Sequence, residues 1–353
     1  MATGPLLVAL ALAVALDTAF AEPPTRVHPV ALFGSVVGRF DRPWAHPRAV
    51  GVAVAVGLPL AAAALAGGVV AAAALLSTAL AALVAGAILF ISVSLRLLLS
   101  TTAEVVELSE TDLAAAREAL RALAGRDATD LSPGQVRSAA VESAAENLAD
   151  GFVAPLAGFV LGATLGVALG GSGESLPLAA GVAGAAWVKA VNTLDSMLGY
   201  RSTPTGWASA RLDDAAMLLP ARATAGCLAV AAGSFGTPRR AAAWARAPSS
   251  PNSGWPMATA AAALDVRLAK PGHYVLNPAA NFPEVADGER AVRLVGVGGG
   301  VAVVVAVGWL VAVGWSVAVG WPVAVGSPVA VGWLPPTGRA LATDVLTGVA
   351  GWS

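Results

Sequence analysis

From Ala49 to Leu95 the chain runs 47 residues without a single Asp, Glu, Lys or Arg. A water-facing surface needs charge far more often than that. At about 1.5 Å of rise per residue and about 30 Å of hydrocarbon, the run is long enough to cross a bilayer twice. Gly67-Gly68 marks the expected turn between the two crossings. The remaining sequence agrees: 57% of the 353 residues are hydrophobic and 12% are charged, with a mean hydropathy of +0.73. The expected fold is an all-α, multi-pass integral membrane protein.

The spans are read from the apolar runs. Pro5–Phe20 forms the first; Ala19-Phe20-Ala21 resembles a cleavage site, but Met1–Pro5 lacks the basic residues of a secretory signal, so the span is expected to stay. Two spans fill about 49–67 and 69–95, and further apolar stretches lie at Phe152–Gly170 and Leu176–Val188. Ala223–Phe235 is too short for an ordinary crossing and fits a buried or re-entrant helix. A last membrane segment is expected over residues 294–313. The total is about five to seven membrane segments.

Residues 96–150 differ in character. Leu113, Ala116, Leu120 and Leu123 recur at helical spacing with charges on other faces, predicting an amphipathic helical cytoplasmic insert. Asp130-Leu131-Ser132-Pro133 offers a helix start. From Val305 to Leu334 a VAVGxx hexapeptide occurs five times, four of them as VAVGWx and one as VAVGSP. The expected division is therefore a membrane domain over 1–313 and a low-complexity repeat and tail over 314–353, with no catalysis in the tail.

Three polar blocks interrupt this apolar chain: 141–156 (VESAAENLADGFVAPL), 187–222 (WVKAVNTLDSMLGYRSTPTGWASARLDDAAMLLPAR) and 249–255 (SSPNSGW). Ionisable groups near a bilayer are costly and persist mainly for function. Arginine-bearing loops at 26–48 and 96–137 fall on one side of the two-span hairpin, which makes that side cytoplasmic. All three blocks are expected to meet there.

Glu142, Glu146 and Asp150 stand at i, i+4, i+8, stacking three carboxylates on one helix face. A divalent metal or an amine would gain from that stack; a solvated helix face has the same spacing. Lys189, Asn192, Thr193 and Ser196 make a polar stripe with Asp195 beside it, suited to phosphate and amide recognition or to helix–helix hydrogen bonding. Arg211, Asp213, Asp214 and Arg222 read either as surface ion pairs or as a metal-and-anion clamp. Cys227 is the lone cysteine, which excludes an internal disulfide and a cysteine metal site. The net charge of −1 and the absence of a basic cluster give no sign of a nucleic-acid partner. No Walker A, G-x-G-x-x-G or H-E-x-x-H sequence is present, and His28, His46 and His273 are scattered.

These blocks resemble the CobD/CbiB family of cobalamin biosynthesis, the adenosylcobinamide-phosphate synthases. The resemblance covers about residues 12–275, through HPV at 28–30, GRD at 125–127, ESAAENLADGFVAPL at 142–156, KAVNTLDSMLGY at 189–200, SARLDDAAMLLPAR at 209–222 and SSPNSGW at 249–255. The KAVNTLDSMLGY block is the most specific of these. The resemblance implies a membrane enzyme that joins aminopropanol, or its O-phosphate, to the free propionate of adenosylcobyric acid, using ATP and Mg²⁺. It implies catalytic roles for Lys189, Asp195, Arg211 and Asp214. Substrate binding would fall to His28, Asn147, Asn192, Arg222 and Asn252, and metal binding to Glu142, Glu146, Asp150 and Asp213. Membrane lipid and other corrinoid-pathway enzymes are the expected partners; a membrane transporter or a non-catalytic scaffold is the alternative. The chain departs from the family pattern at Ala21-Glu22-Pro23 (usually Gly-Asp-Pro), at Pro248 (usually histidine), at Met257 (usually glutamate) and at Met217 (usually asparagine), and it lacks the usual glycine after Tyr274.

Overall fold

The computed structural model describes residues 3–23, 28–125, 127–170, 173–199 and 203–318. Arg26, Arg126, Tyr200, Arg201 and the repeat copies beyond residue 318 lie outside the described residues.

Helix α1 (Gly4–Phe20) has 17 residues, short for a crossing by itself. Helix α2 (Pro29–Val37) starts at His28, whose Nδ1 accepts a hydrogen bond from the Val30 amide at 3.2 Å. Helix α3 (Pro47–Ala74) runs unbroken through Pro59 and through Gly67-Gly68, which corrects the expected position of the turn. The turn falls at Leu75–Ser77, where the Ser77 hydroxyl accepts from the Leu80 amide and opens α4 (Thr78–Ser92). Serine supplies the capping acceptor that a glycine pair lacks. Gly67 is used for packing instead: a side chain there would press on the Ala179 carbonyl of α9 (Ser175–Leu198).

Helix α5 (Arg96–Thr111) is capped from a distance. The buried Asp17 of α1 accepts from the Leu95 and Arg96 amides at 3.1 and 3.2 Å, placing a carboxylate against the positive end of the helix. Helix α6 (Leu113–Leu120) carries the foreseen stripe, with Ala116 and Leu120 buried beside Val105 and Val136. Ser132 and Gln135 form a reciprocal capping box at the start of α7 (Pro133–Leu148), as the Ser-Pro signal predicts. Within the 96–150 stretch, α5 and α6 are amphipathic, whereas α7 is buried along most of its length and packs against α5 and α14 (Val285–Ala318).

A π-helical turn, Ala149–Val153, joins α7 to α8 (Ala154–Gly170). Gly158, Gly162 and Gly166 recur every fourth residue along α8, so its backbone lies directly on α9. A Cβ at Gly158 or Gly162 would collide with the carbonyl of Gly184 or Ala180. Helices α10 (Trp207–Ala216) and α11 (Leu218–Ala231) meet at Met217 with a 46° bend. That geometry fits the broken or re-entrant segment expected around residues 223–235. Helices α12 (Thr237–Ala241) and α13 (Gly254–Leu264) follow. A small hairpin of β1 (Leu268–Lys270) and β2 (Tyr274–Leu276), unforeseen from the sequence, turns through Gly272 at φ 74°.

Among the described residues four helical stretches are long and apolar enough to cross a membrane: Pro47–Ala74, Thr78–Thr111, Pro133–Leu169 and Val285–Ala318. The bent α10–α11 pair makes a fifth if it counts as one span. Helix α14 carries the repeat as far as Ala318 despite Gly308 and Gly314. One main core joins side chains from α1, α4, α7, α8, α9, α11, α13 and α14.

Candidate catalytic site

The three polar blocks come together where the π-turn, α9 and α10 meet. Asp150 leaves the helical ladder in the π-turn, a local widening frequent at functional sites. Its Oδ2 accepts from Asn192 Nδ2 of α9 at 3.3 Å. The same Asn192 amide reaches Asp213 of α10, and Asp195 and Glu146 act electrostatically on both aspartates. Four carboxylates from four elements (α7, the π-turn, α9 and α10) therefore act on one another around a single asparagine. Asp213 Oδ1 is buried and has no hydrogen-bond partner among the described residues. Such an oxygen calls for a proton or a cation.

Gly199 sets the position of Asp195. The Asp195 carboxylate occupies the space that a Gly199 Cβ would fill, and the Gly199 amide closes α9 on the Asp195 carbonyl at 2.8 Å. The glycine in the KAVNTLDSMLGY block is thus required by its neighbour's side chain.

The consecutive residues Asp213 and Asp214 serve two chambers. Asp213 belongs to the acidic group. Asp214 lies 3.6 Å from the Arg211 guanidinium, and its backbone carbonyl accepts from Asn252 Nδ2 at 2.7 Å. Asn252 Oδ1 in turn accepts from Arg222 at 2.5 Å, and Arg222 also donates to the Leu218 and Pro251 carbonyls. The SSPNSGW block is thereby tied to the α10–α11 bend. A cavity of about 450 Å³ opens here, lined by Arg211, Asp214, Arg222 and Arg246 together with Trp255.

Lys189 approaches from the other flank of α9, with Glu22 and Asp150 as its electrostatic partners. His28 Nε2 stands 4.0 Å from Glu22 Oε2. Lys189 also borders an apolar cavity of about 490 Å³ between α2, α3, α4 and α9.

Two expected site residues are turned elsewhere. Glu142 lies on the face foreseen for it but is fully buried against the hairpin, accepting from Ser138 Oγ at 3.2 Å and Tyr274 Oη at 2.9 Å. Two turns of helix and the hairpin contact keep it out of the acidic group. Asn147 Nδ2 donates to the Leu123 carbonyl at 3.3 Å, tying α7 to the segment after α6. The stack of three carboxylates as one metal site is therefore corrected: among the described residues no group of three or more His, Cys, Asp or Glu side chains is arranged to hold a metal ion. Sequence reasoning missed Glu22, Tyr274, Arg246 and Trp255. Trp255 sat inside a quoted motif and Arg246 just before it, but nothing in their spacing separated them from loop residues.

Residues 10–302 match the CobD/Cbib protein family. A "Probable cobalamin biosynthesis protein CobD" from Methanothrix thermoacetophila is 34% identical over 307 residues, 81% of this chain and 91% of that protein. The "Cobalamin biosynthesis protein CobD" of Mycobacterium tuberculosis is 37% identical, covering 83% of this chain and 93% of its own. A protein of the same name from Dehalococcoides mccartyi is 35% identical over 77% of this chain and 86% of its own. No solved structure matches. With family and relatives spanning nearly all the described helices and all three polar blocks, the chain belongs to the CobD/Cbib family.

Proposed function

We propose that this protein is an adenosylcobinamide-phosphate synthase, forming an amide between an aminopropanol, free or O-phosphorylated, and the propionate carboxylate of adenosylcobyric acid. A role in cobalamin biosynthesis follows from family membership. The observation that carries it is the division at Asp213 and Asp214, with clustered carboxylates on one side and clustered guanidiniums on the other.

A carboxylate does not react with an amine until one of its oxygens becomes a leaving group. Magnesium-ATP, when bound, would supply the phosphoryl group that activates it. Mg²⁺ needs only one or two protein carboxylates when phosphate oxygens complete its shell. The residues fit such an ion: Asp213 offers an unpartnered buried oxygen, with Asp150 and Asp195 beside it. Arg211 and Arg222 would hold phosphate oxygens by charge-assisted hydrogen bonds. Lys189, whose electrostatic partners include Asp150, would offset negative charge that develops on the transferring group. Asn192 and Asn252 keep the two chambers in register. The site is proposed to face the cytoplasm in the cell membrane, on the side of the arginine-bearing loops.

The test uses membranes carrying the full chain. They should consume ATP and convert adenosylcobyric acid to a cobinamide only when the amino alcohol or its phosphate is supplied. Asp195→Ala and Asp214→Ala should abolish product while membrane insertion stays normal. Normal turnover by either variant would refute its assigned role, and corrinoid uptake without amide formation would favour a transporter.

A further inference from the structure

The second chamber contains a cation that the carboxylate-activation reading leaves without a task. Arg246 is exposed, lines the 450 Å³ cavity, and makes no ion pair among the described residues. Arg222 is held in place by three oxygen acceptors, none of them a carboxylate, so its charge stays available. Its guanidinium also lies 5.5 Å from the centre of the Trp255 ring. Among the described residues Asp214 is the only carboxylate lining the cavity, and it faces Arg211. Three guanidiniums against one carboxylate leave the chamber with surplus positive charge, walled by an indole and by the Ser249 and Ser250 hydroxyls.

Guanidiniums arranged around a concave site favour an oxyanion such as phosphate over a neutral ligand, because each can donate two parallel hydrogen bonds to its oxygens. A volume of this size lies within the range of small-molecule pockets. We infer that the Arg211–Arg222–Arg246 chamber is a phosphate-recognition site, in which Arg246 and Trp255 hold the phosphoryl group of a substrate apart from the acidic chamber. The ligand's phosphate can come from a phosphorylated amino alcohol or from a nucleotide. This identification of the ligand rests on the ligase reading; the phosphate selectivity does not.

The experiment measures binding, without turnover, to the purified full chain in lipid nanodiscs. Calorimetric titrations use aminopropanol phosphate, free aminopropanol and a non-hydrolysable ATP analogue, each at two salt concentrations. Arg246→Ala removes a side chain with no protein partner, so its fold is expected to survive; Arg246→Lys keeps the charge. Losing a charge-assisted hydrogen-bond pair should weaken the phosphate ligand roughly ten- to a hundredfold, with partial rescue by Arg246→Lys. A loss confined to aminopropanol phosphate assigns the chamber to the amino-alcohol substrate, and a loss confined to the ATP analogue assigns it to the nucleotide. Unchanged affinity of both phosphate ligands in Arg246→Ala and in Trp255→Ala overturns the inference. Arg246-dependent phosphate binding in a protein that forms no amide would leave the chamber standing and refute the ligase reading alone.

Discussion

Asn192 stands between Asp150, 3.3 Å from its amide nitrogen, and Asp213 on the neighbouring helix. It is the neutral spacer of an otherwise acidic group. Its amide can donate two hydrogen bonds, which a carboxylate cannot. Asn192→Asp would put another negative charge among four, and Asn192→Ala would leave Asp150 and Asp213 without their shared donor. Both variants should lose activity by at least about a hundredfold, the scale for removing one preorganised polar group. Turnover within a few-fold of wild type in both would remove Asn192 from the site.

Gly199→Ala tests the packing of Asp195. The added methyl would displace the Asp195 carboxylate, and small misplacements of reacting groups are costly to rate. The expected result is a fall in kcat together with a lower melting temperature, because the methyl also meets the Asp195 backbone carbonyl. If the double variant Gly199→Ala, Asp195→Ala is no worse than Asp195→Ala, the glycine acts through Asp195, as non-additivity requires.

The Tyr274–Glu142 hydrogen bond is predicted to stabilise the fold and to have no direct part in the chemistry. Tyr274→Phe leaves a buried carboxylate short of one donor and should cost about 1–3 kcal/mol. Glu142→Gln removes the charge and keeps the shape, so it should retain activity while Asp150→Asn loses it. Chemical-denaturation midpoints paired with activity separate the two effects. An inactive but fully stable Glu142→Gln would return Glu142 to the metal set.

His28 gives a pH prediction. Burial pushes its imidazole below the ordinary value of 6.5, against the opposing pull of Glu22 and with help from Lys189. Because the folded value is the lower one, the neutral ring stabilises the fold fully above pH 6.5, and this contribution fades as pH falls toward the folded value. Protonation turns Nδ1 into a donor and removes the acceptor that caps α2 at Val30. Wild type should lose stability as pH falls below 6.5, by roughly 1 kcal/mol from the cap. His28→Asn keeps a capping oxygen and should show a flatter profile; identical profiles would contradict this.

The helical membrane class was legible because it needs only apolar length, and the 49–95 run supplies that. The capping box at Ser132 and the stripe on α6 were legible for a similar reason: their partners lie within a few residues. The turn after α3 was misplaced because glycine signals either a break or a close approach, and only the presence of α9 against Gly67 distinguishes them.

The sequence by itself determined that this chain is a helical membrane protein with three polar blocks carrying carboxylates, asparagines and arginines. Helical spacing also determined that Glu142, Glu146 and Asp150 begin on one face. Tertiary structure alone decided that Glu142 goes to Tyr274, that Asp150 goes to Asn192, and that the neighbours Asp213 and Asp214 face different chambers. The reason is physical. Spacing fixes which side chains leave a helix together, whereas the partner of each buried charge is set by what packs against it from distant parts of the chain.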